Sequence, residues 1–142
     1  MNRQNWADEL DDFAAQARGR ARRSVEEQAP PLERLFRRRL GRIYESQVEF
    51  ELEFHRRPTR VAMGRYYRSR RLIRIYAVDA DEGERSVEEL FEVFLHELAH
   101  HLEYHEPDRF GGECQREHGR AHSPLFHHIW ETLRSRWAKI AV

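Results

Sequence analysis

The sequence predicts an α+β fold: a small three-stranded, mainly antiparallel sheet packed on one long helix, with additional helices around the pair. Three observations carry this. Apolar residues recur every three or four positions in four separate stretches, the period of a helix with one buried face. Between the second and third of these, apolar and charged residues alternate with period two, the pattern of half-buried strands. The third helical stretch opens on a capping signal and carries His96-Glu97-Leu98-Ala99-His100 in its middle.

Length and composition set the bounds. A chain of 142 residues makes one domain, able to bury roughly two-thirds of the surface that it exposes when unfolded. With 35% charged residues against 39% apolar ones, the core must be economical and the surface heavily charged. The longest stretch without Asp, Glu, Lys or Arg is ten residues, 121–130, half of the about 20 apolar residues that a membrane-spanning helix needs. Residues 1–13 are acidic and amphipathic, without the apolar centre and small-residue cleavage site of a secretory signal. The single cysteine, Cys114, cannot form a disulfide within the chain. Together these features predict a cytoplasmic protein that does not enter a membrane.

The net charge of zero conceals an asymmetry. Residues 1–78 hold 18 arginines and 11 acidic residues, an excess of seven positive charges, whereas residues 79–142 hold 7 basic and 14 acidic residues, an excess of seven negative ones. Such a split offers an anionic partner a basic first half. It equally lets the two halves attract each other within one fold.

Residues 2–28 read as a first helix, with Trp6, Leu10, Phe13, Ala14 and Ala17 on one stripe. Pro30-Pro31 ends it, and Pro31 suits the first turn of the next helix. That helix carries Leu32, Leu35, Phe36, Leu40 and Ile43, with Arg34, Arg37, Arg38 and Arg39 between them. Val48, Phe50, Leu52 and Phe54 then alternate with Glu49, Glu51 and Glu53 as a strand. A turn at 56–59 leads to strands over 61–67 and 72–78, joined by the basic tip Arg68-Ser69-Arg70-Arg71, and 79–85 read as a polar loop. Ser86 is the expected N-cap of the motif helix, with Glu89 reaching back to complete a capping box. Leu90, Phe91, Phe94, Leu95, Leu98 and Leu102 bury that helix to about residue 104. A loop over 107–121 follows, and Ser123-Pro124 open the last helix, whose apolar face runs from Leu125 through Phe126, Ile129, Trp130 and Leu133 to Trp137.

The chemistry lies in the motif helix. Four residues turn an α-helix by about 400°, so His96 and His100 project from one face, one turn apart. That spacing lets both imidazoles grip one Zn²⁺ and leaves Glu97 beside the metal's open position as a general base toward water. A hydrolytic zinc site also needs a third protein ligand. Eight of the nine histidines fall between 96 and 128. Among them His122 is favoured, because it stands directly before the cap of a helix that must pack on the motif helix. His118 is the next candidate, and Glu113 or Glu117 would be oxygen ligands. His101 points about 100° away from the zinc face and reads, like His105, as a surface or substrate-side residue. One of His127 and His128 is placed to approach the cleft, and His55 reads as structural. Tyr66, Tyr67 and Tyr104 are candidate oxyanion donors.

These residues resemble the SprT-like zinc metalloproteases, the group that includes Spartan. The resemblance rests on Met63-Gly64-Arg65-Tyr66-Tyr67 before Leu72-Ile73-Arg74-Ile75-Tyr76, on the helix Phe94-Leu95-His96-Glu97-Leu98-Ala99-His100-His101, and on His122-Ser123-Pro124-Leu125-Phe126, which is similar to the family's H-G-P-x-F segment. It covers about residues 45–135. It implies a zincin-like fold, Zn²⁺ on His96, His100 and His122, Glu97 as the catalytic base, and hydrolysis of a protein or peptide substrate lying along a sheet edge. Some members of that group act on proteins bound to DNA. The resemblance divides the chain into an Arg-rich helical segment, 1–44, and a protease domain, 45–142, within one compact body. Unlike many of the group, this sequence has no Cys-rich zinc ribbon.

The principal expectation is therefore a zinc metalloendopeptidase. The competing one is a non-catalytic, zinc-containing module that holds nucleic acid through the arginines at 18–23, 34–42 and 65–74, where DNA phosphates are the natural partner. A third has the N-terminal helices covering the cleft of a latent protease.

Overall fold

The computed structural model describes residues 30–112 and 122–141. The helix expected over 2–28, and Glu113, Cys114, Glu117 and His118, lie outside the described residues.

Helix α1 is Pro31–Gly41, with proline in its first turn and Leu35, Phe36 and Leu40 buried. Strands β1 (Glu51–His55), β2 (Gly64–Tyr67) and β3 (Leu72–Tyr76) form one sheet in the order β1-β3-β2. A two-residue pair, β4 (Val78–Asp79) and β5 (Gly83–Glu84), follows. The motif helix α2 is Val87–His105, and α3 is Pro124–Ala141.

The sheet is mixed, which corrects the mainly antiparallel expectation. β2 and β3 pair antiparallel across the turn at Arg68–Arg70, but β1 and β3 run parallel, Glu51 opposite Leu72 and His55 opposite Tyr76. The reason lies in apolar content. Leu72, Ile73 and Ile75 are at most 2% exposed, so β3 takes the central position and separates β1 from its successor in sequence. The chain between β1 and β2 must then cross over, and the β1–β3 pair becomes parallel. Residues 79–85, expected as a loop, close a small hairpin instead. Asp79 Oδ1 accepts from the backbone N–H groups of Asp81 and Glu82, and Gly83 takes the positive φ of 85° that the turn requires.

The core is built from all three helices and the inner face of the sheet. Phe36 of α1 meets Phe91 and Phe94 of α2 at 5.1 and 5.6 Å between ring centroids. Leu95, Leu98 and Leu102 of α2 and Phe126, Ile129 and Leu133 of α3 are fully buried, each contributing roughly 1.5–3 kcal/mol of transfer free energy. Residues 31–41 are thus part of the same core as the motif helix. Two buried arginines tie the elements together. Arg39 pairs with Glu88 at 3.1 Å and lies 5.0 Å from the rings of Phe91 and Trp137, joining α1 to α2 and α3. Arg85 donates to the carbonyls of Tyr76 and Val78 at 2.8 and 3.0 Å and holds the small hairpin on β3. With Arg56–Glu84 and Arg60–Asp81, the Arg39 pair brings the basic half of the chain against the acidic half. No helix among the described residues is long and apolar enough to cross a membrane.

Candidate metal centre

The burial of α2 fixes the first two candidate ligands. Its apolar residues face the core, so His96 and His100 turn together toward α3, their ring centroids 5.2 Å apart. His122 arrives from the segment leading into α3, 5.1 Å from His96 and 5.2 Å from His100. One nitrogen from each of the three rings lies within 4.8 Å of the others. A tetrahedral zinc with Zn–N bonds of about 2.0–2.1 Å spaces its ligands about 3.4 Å apart, so a small inward adjustment puts all three on one ion. Three imidazoles are a donor set that suits catalytic zinc. Burial, followed by the nearby His122 and His127, pulls His96 down to about 4. Its ring is therefore neutral at pH 7 and has no proton to shed before binding a metal. The residues fit the ion.

The third histidine is held by its neighbours. Ser123 caps α3, its Oγ accepting from Phe126 N–H at 3.1 Å, as the Ser-Pro pair predicts. The same hydroxyl donates to Glu103, a fully buried carboxylate three residues past His100 on α2. This link locks the start of α3, and with it His122, to the motif helix. Phe126 stacks on His100 and His122 at 4.3 and 4.7 Å, and Trp130 stands edge-on to His96 at 4.8 Å. Sequence reasoning gave Phe126 and Trp130 only a core role and passed over Glu103. The available signal was spacing, since Phe126 and Trp130 follow His122 by one and two helical turns.

Glu97 is buried, and with His96 it lines an open cavity of about 550 Å³. Its placement depends on Gly64. A Cβ there would lie 2.5 Å from Val93 Cγ1 and 3.2 Å from both Glu97 Cγ and the Arg74 carbonyl oxygen. Strand β2 reaches the motif helix this closely only because position 64 lacks a side chain. Gly64→Ala is expected to destabilise the fold by about 1–3 kcal/mol, the usual cost of overpacking, and to displace β2 or Glu97. Thermal unfolding checks the first effect, and a crystal structure of the variant checks the second.

The remaining expectations divide. His101 is no surface residue: it is fully buried. Its Nε2–H donates to the Val48 carbonyl at 2.9 Å, so its Nδ1 accepts from Tyr66 O–H at 2.8 Å. Burial pulls it to about 4 and keeps it neutral. This bond commits the Tyr66 hydroxyl to His101, and the Tyr67 hydroxyl accepts from Arg74 at 3.0 Å. His105 is half-buried against His101 at 4.8 Å. His127 and His128 are exposed, and His127 lies 6.1 Å from His122. Of the arginines at 34–42, Arg37 and Arg39 are engaged within the fold, whereas Arg65, Arg68, Arg70 and Arg71 are exposed around the β2–β3 turn.

No family model matches this chain, and no curated protein or solved structure matches it either.

Proposed function

We propose that the chain is a zinc-dependent endopeptidase of the SprT-like kind, with a zincin-like arrangement of sheet and motif helix. The observation that carries the reading is the convergence of His96, His100 and His122 on one another, with the buried carboxylate of Glu97 next to His96 on the wall of an open cavity that those two residues share. Zinc bound there would supply a Lewis acid that acidifies water and polarises a carbonyl. The chain's own groups would do the rest. Glu97 would take a proton from the attacking water on a carboxylate oxygen and return it to the leaving amine. β2 is an edge strand, and its outer edge offers backbone groups to an extended peptide.

The test is metal content and hydrolysis together. The wild type is expected to hold one zinc per chain and to cleave an unfolded protein, to lose cleavage with a chelator and to regain it with zinc. His122→Ala is expected to lose at least most of the bound metal. A chain that takes up no zinc, or one whose His122→Ala variant keeps it, refutes the assignment.

A second reading, a nucleic-acid-binding module, is favoured by one feature. Arg65, Arg68, Arg70 and Arg71 face solvent with no ion-pair partner among the described residues, and Arg68 lies over Tyr104 at 4.2 Å. Salt-dependent DNA binding without cleavage of any unfolded protein would favour it.

A further inference from the structure

We infer that the cleft beside the metal centre selects a substrate segment bearing a lysine or arginine, whose alkyl stem lies on Val61, Met63 and Trp130 and whose charge meets Glu89. The inference deepens the peptidase reading and rests on it.

The cavity that holds His96 and Glu97 runs toward the start of α2 along Val93, Glu92 and Glu89. These positions share one helix face, and eight residues separate Glu89 from Glu97, about 12 Å along the axis. The opposite wall is the segment entering β2. Val61 and Met63, 89% and 39% exposed, are the only large apolar side chains left exposed among the described residues, and both stand on this wall. Apolar surface left open beside a reactive carboxylate is the feature to expect where a substrate stem packs.

Beyond Val61 and Met63 the cleft opens into a second cavity of about 350 Å³ that shares those two residues and Glu89 with the first. Four carboxylates and two arginines line it. Arg85 is taken by Asp79, Arg60 by Asp81, and Glu84 by Arg56. Glu92, in the first cavity, is taken by Arg134 at 3.2 Å. Glu82 and Glu89 remain with no ion-pair partner among the described residues.

Glu89 has an obvious alternative duty as the reciprocal arm of the capping box at the start of α2. That arm is not made: Ser86 Oγ accepts from Glu89 N–H at 3.2 Å, but the Glu89 carboxylate returns no bond to the Ser86 amide. Its charge is therefore presented to the cleft. A long side chain with an apolar stem and a cationic end satisfies both halves of this surface at once.

The test uses peptides identical except at one position, carrying lysine, arginine, norleucine (the four-carbon stem of lysine without its ammonium), or glutamate. Binding is measured by fluorescence anisotropy on the zinc-loaded Glu97→Gln chain, where no hydrolysis is needed, and cleavage is measured on the wild type. Lysine and arginine peptides are expected to bind about fivefold tighter than norleucine, as suits a partly exposed ion pair. The preference should vanish in the Glu89→Gln, Glu97→Gln double variant and weaken with salt. Equal affinities, or a preference that survives Glu89→Gln, overturn the inference. Cleavage without the preference leaves the peptidase reading standing and removes this one. Selective binding without cleavage does the reverse, leaving the basic-peptide cleft and removing the hydrolase.

Discussion

Glu97→Gln is expected to lower peptide hydrolysis by about 10²–10⁴-fold, the usual contribution of a positioned general base, while zinc stays bound at the wild-type level. The separation of the two effects follows from geometry. The nitrogens close enough to hold an ion belong to His96, His100 and His122, and glutamine at 97 leaves all three in place. The amide fills nearly the same volume in a buried position but accepts no proton at neutral pH. Removing a histidine, by contrast, should lose metal and activity together. Metal analysis and single-substrate kinetics on the purified variant provide the check. A Glu97→Gln chain that cleaves at the wild-type rate would exclude Glu97 as the base.

Much of this arrangement is legible in the chain because it is local. The start of α1 at Pro31, the Ser86 and Ser123 caps and the one-turn spacing of His96 and His100 depend on neighbours within four residues. The approach of His122 to His96 and His100 goes one step further, since a residue before a helix cap is fixed only once that helix packs on another, and the wide apolar face of α3 signals that packing. What escaped was non-local. No spacing within 51–76 reveals that β3 would sit between β1 and β2 and make one pair parallel. His101 has the same polarity as its neighbour His100, yet its burial depends on Val48 and Tyr66, 53 and 35 residues away. The tight approach of Gly64 to Glu97 joins a strand to a helix 33 positions on, and sequence alone offers only a glycine. Arginine clusters mislead for a related reason: composition counts Arg39 and Arg68 alike, but one is 4% exposed under two aromatic rings and the other faces solvent.

The largest stability effect is expected at Glu106, which sequence reasoning left unremarked. It sits where α2 ends, is 3% exposed, and accepts five hydrogen bonds, from Tyr44 O–H, Ser46 O–H, the Gln47 and Val48 amides and Arg109. These fasten the segment before β1 to the motif helix, beside the His101–Val48 bond. Glu106→Ala strands five donors at once, the buried Tyr44 hydroxyl among them, so a loss of about 3–5 kcal/mol is expected. Burial alone would push the Glu106 carboxyl up. The bonds from Tyr44, Val48, Ser46 and Arg109 outweigh it and hold the group below its ordinary value of 4.5. The folded state thus binds this proton more weakly than the unfolded state, and the stabilisation is complete above about pH 4.5 and drains away as the pH falls through the lower folded value. Denaturant titrations of wild type and Glu106→Gln should therefore differ most near neutrality and converge in acid. A gap that stays constant down to pH 3 would mean that the carboxylate charge contributes nothing. Zinc offers a further check, because an ion bound only to the folded chain adds about 2.7 kcal/mol at a hundredfold excess over its Kd. Saturating zinc should accordingly restore part, though not all, of the stability that Glu106→Ala removes.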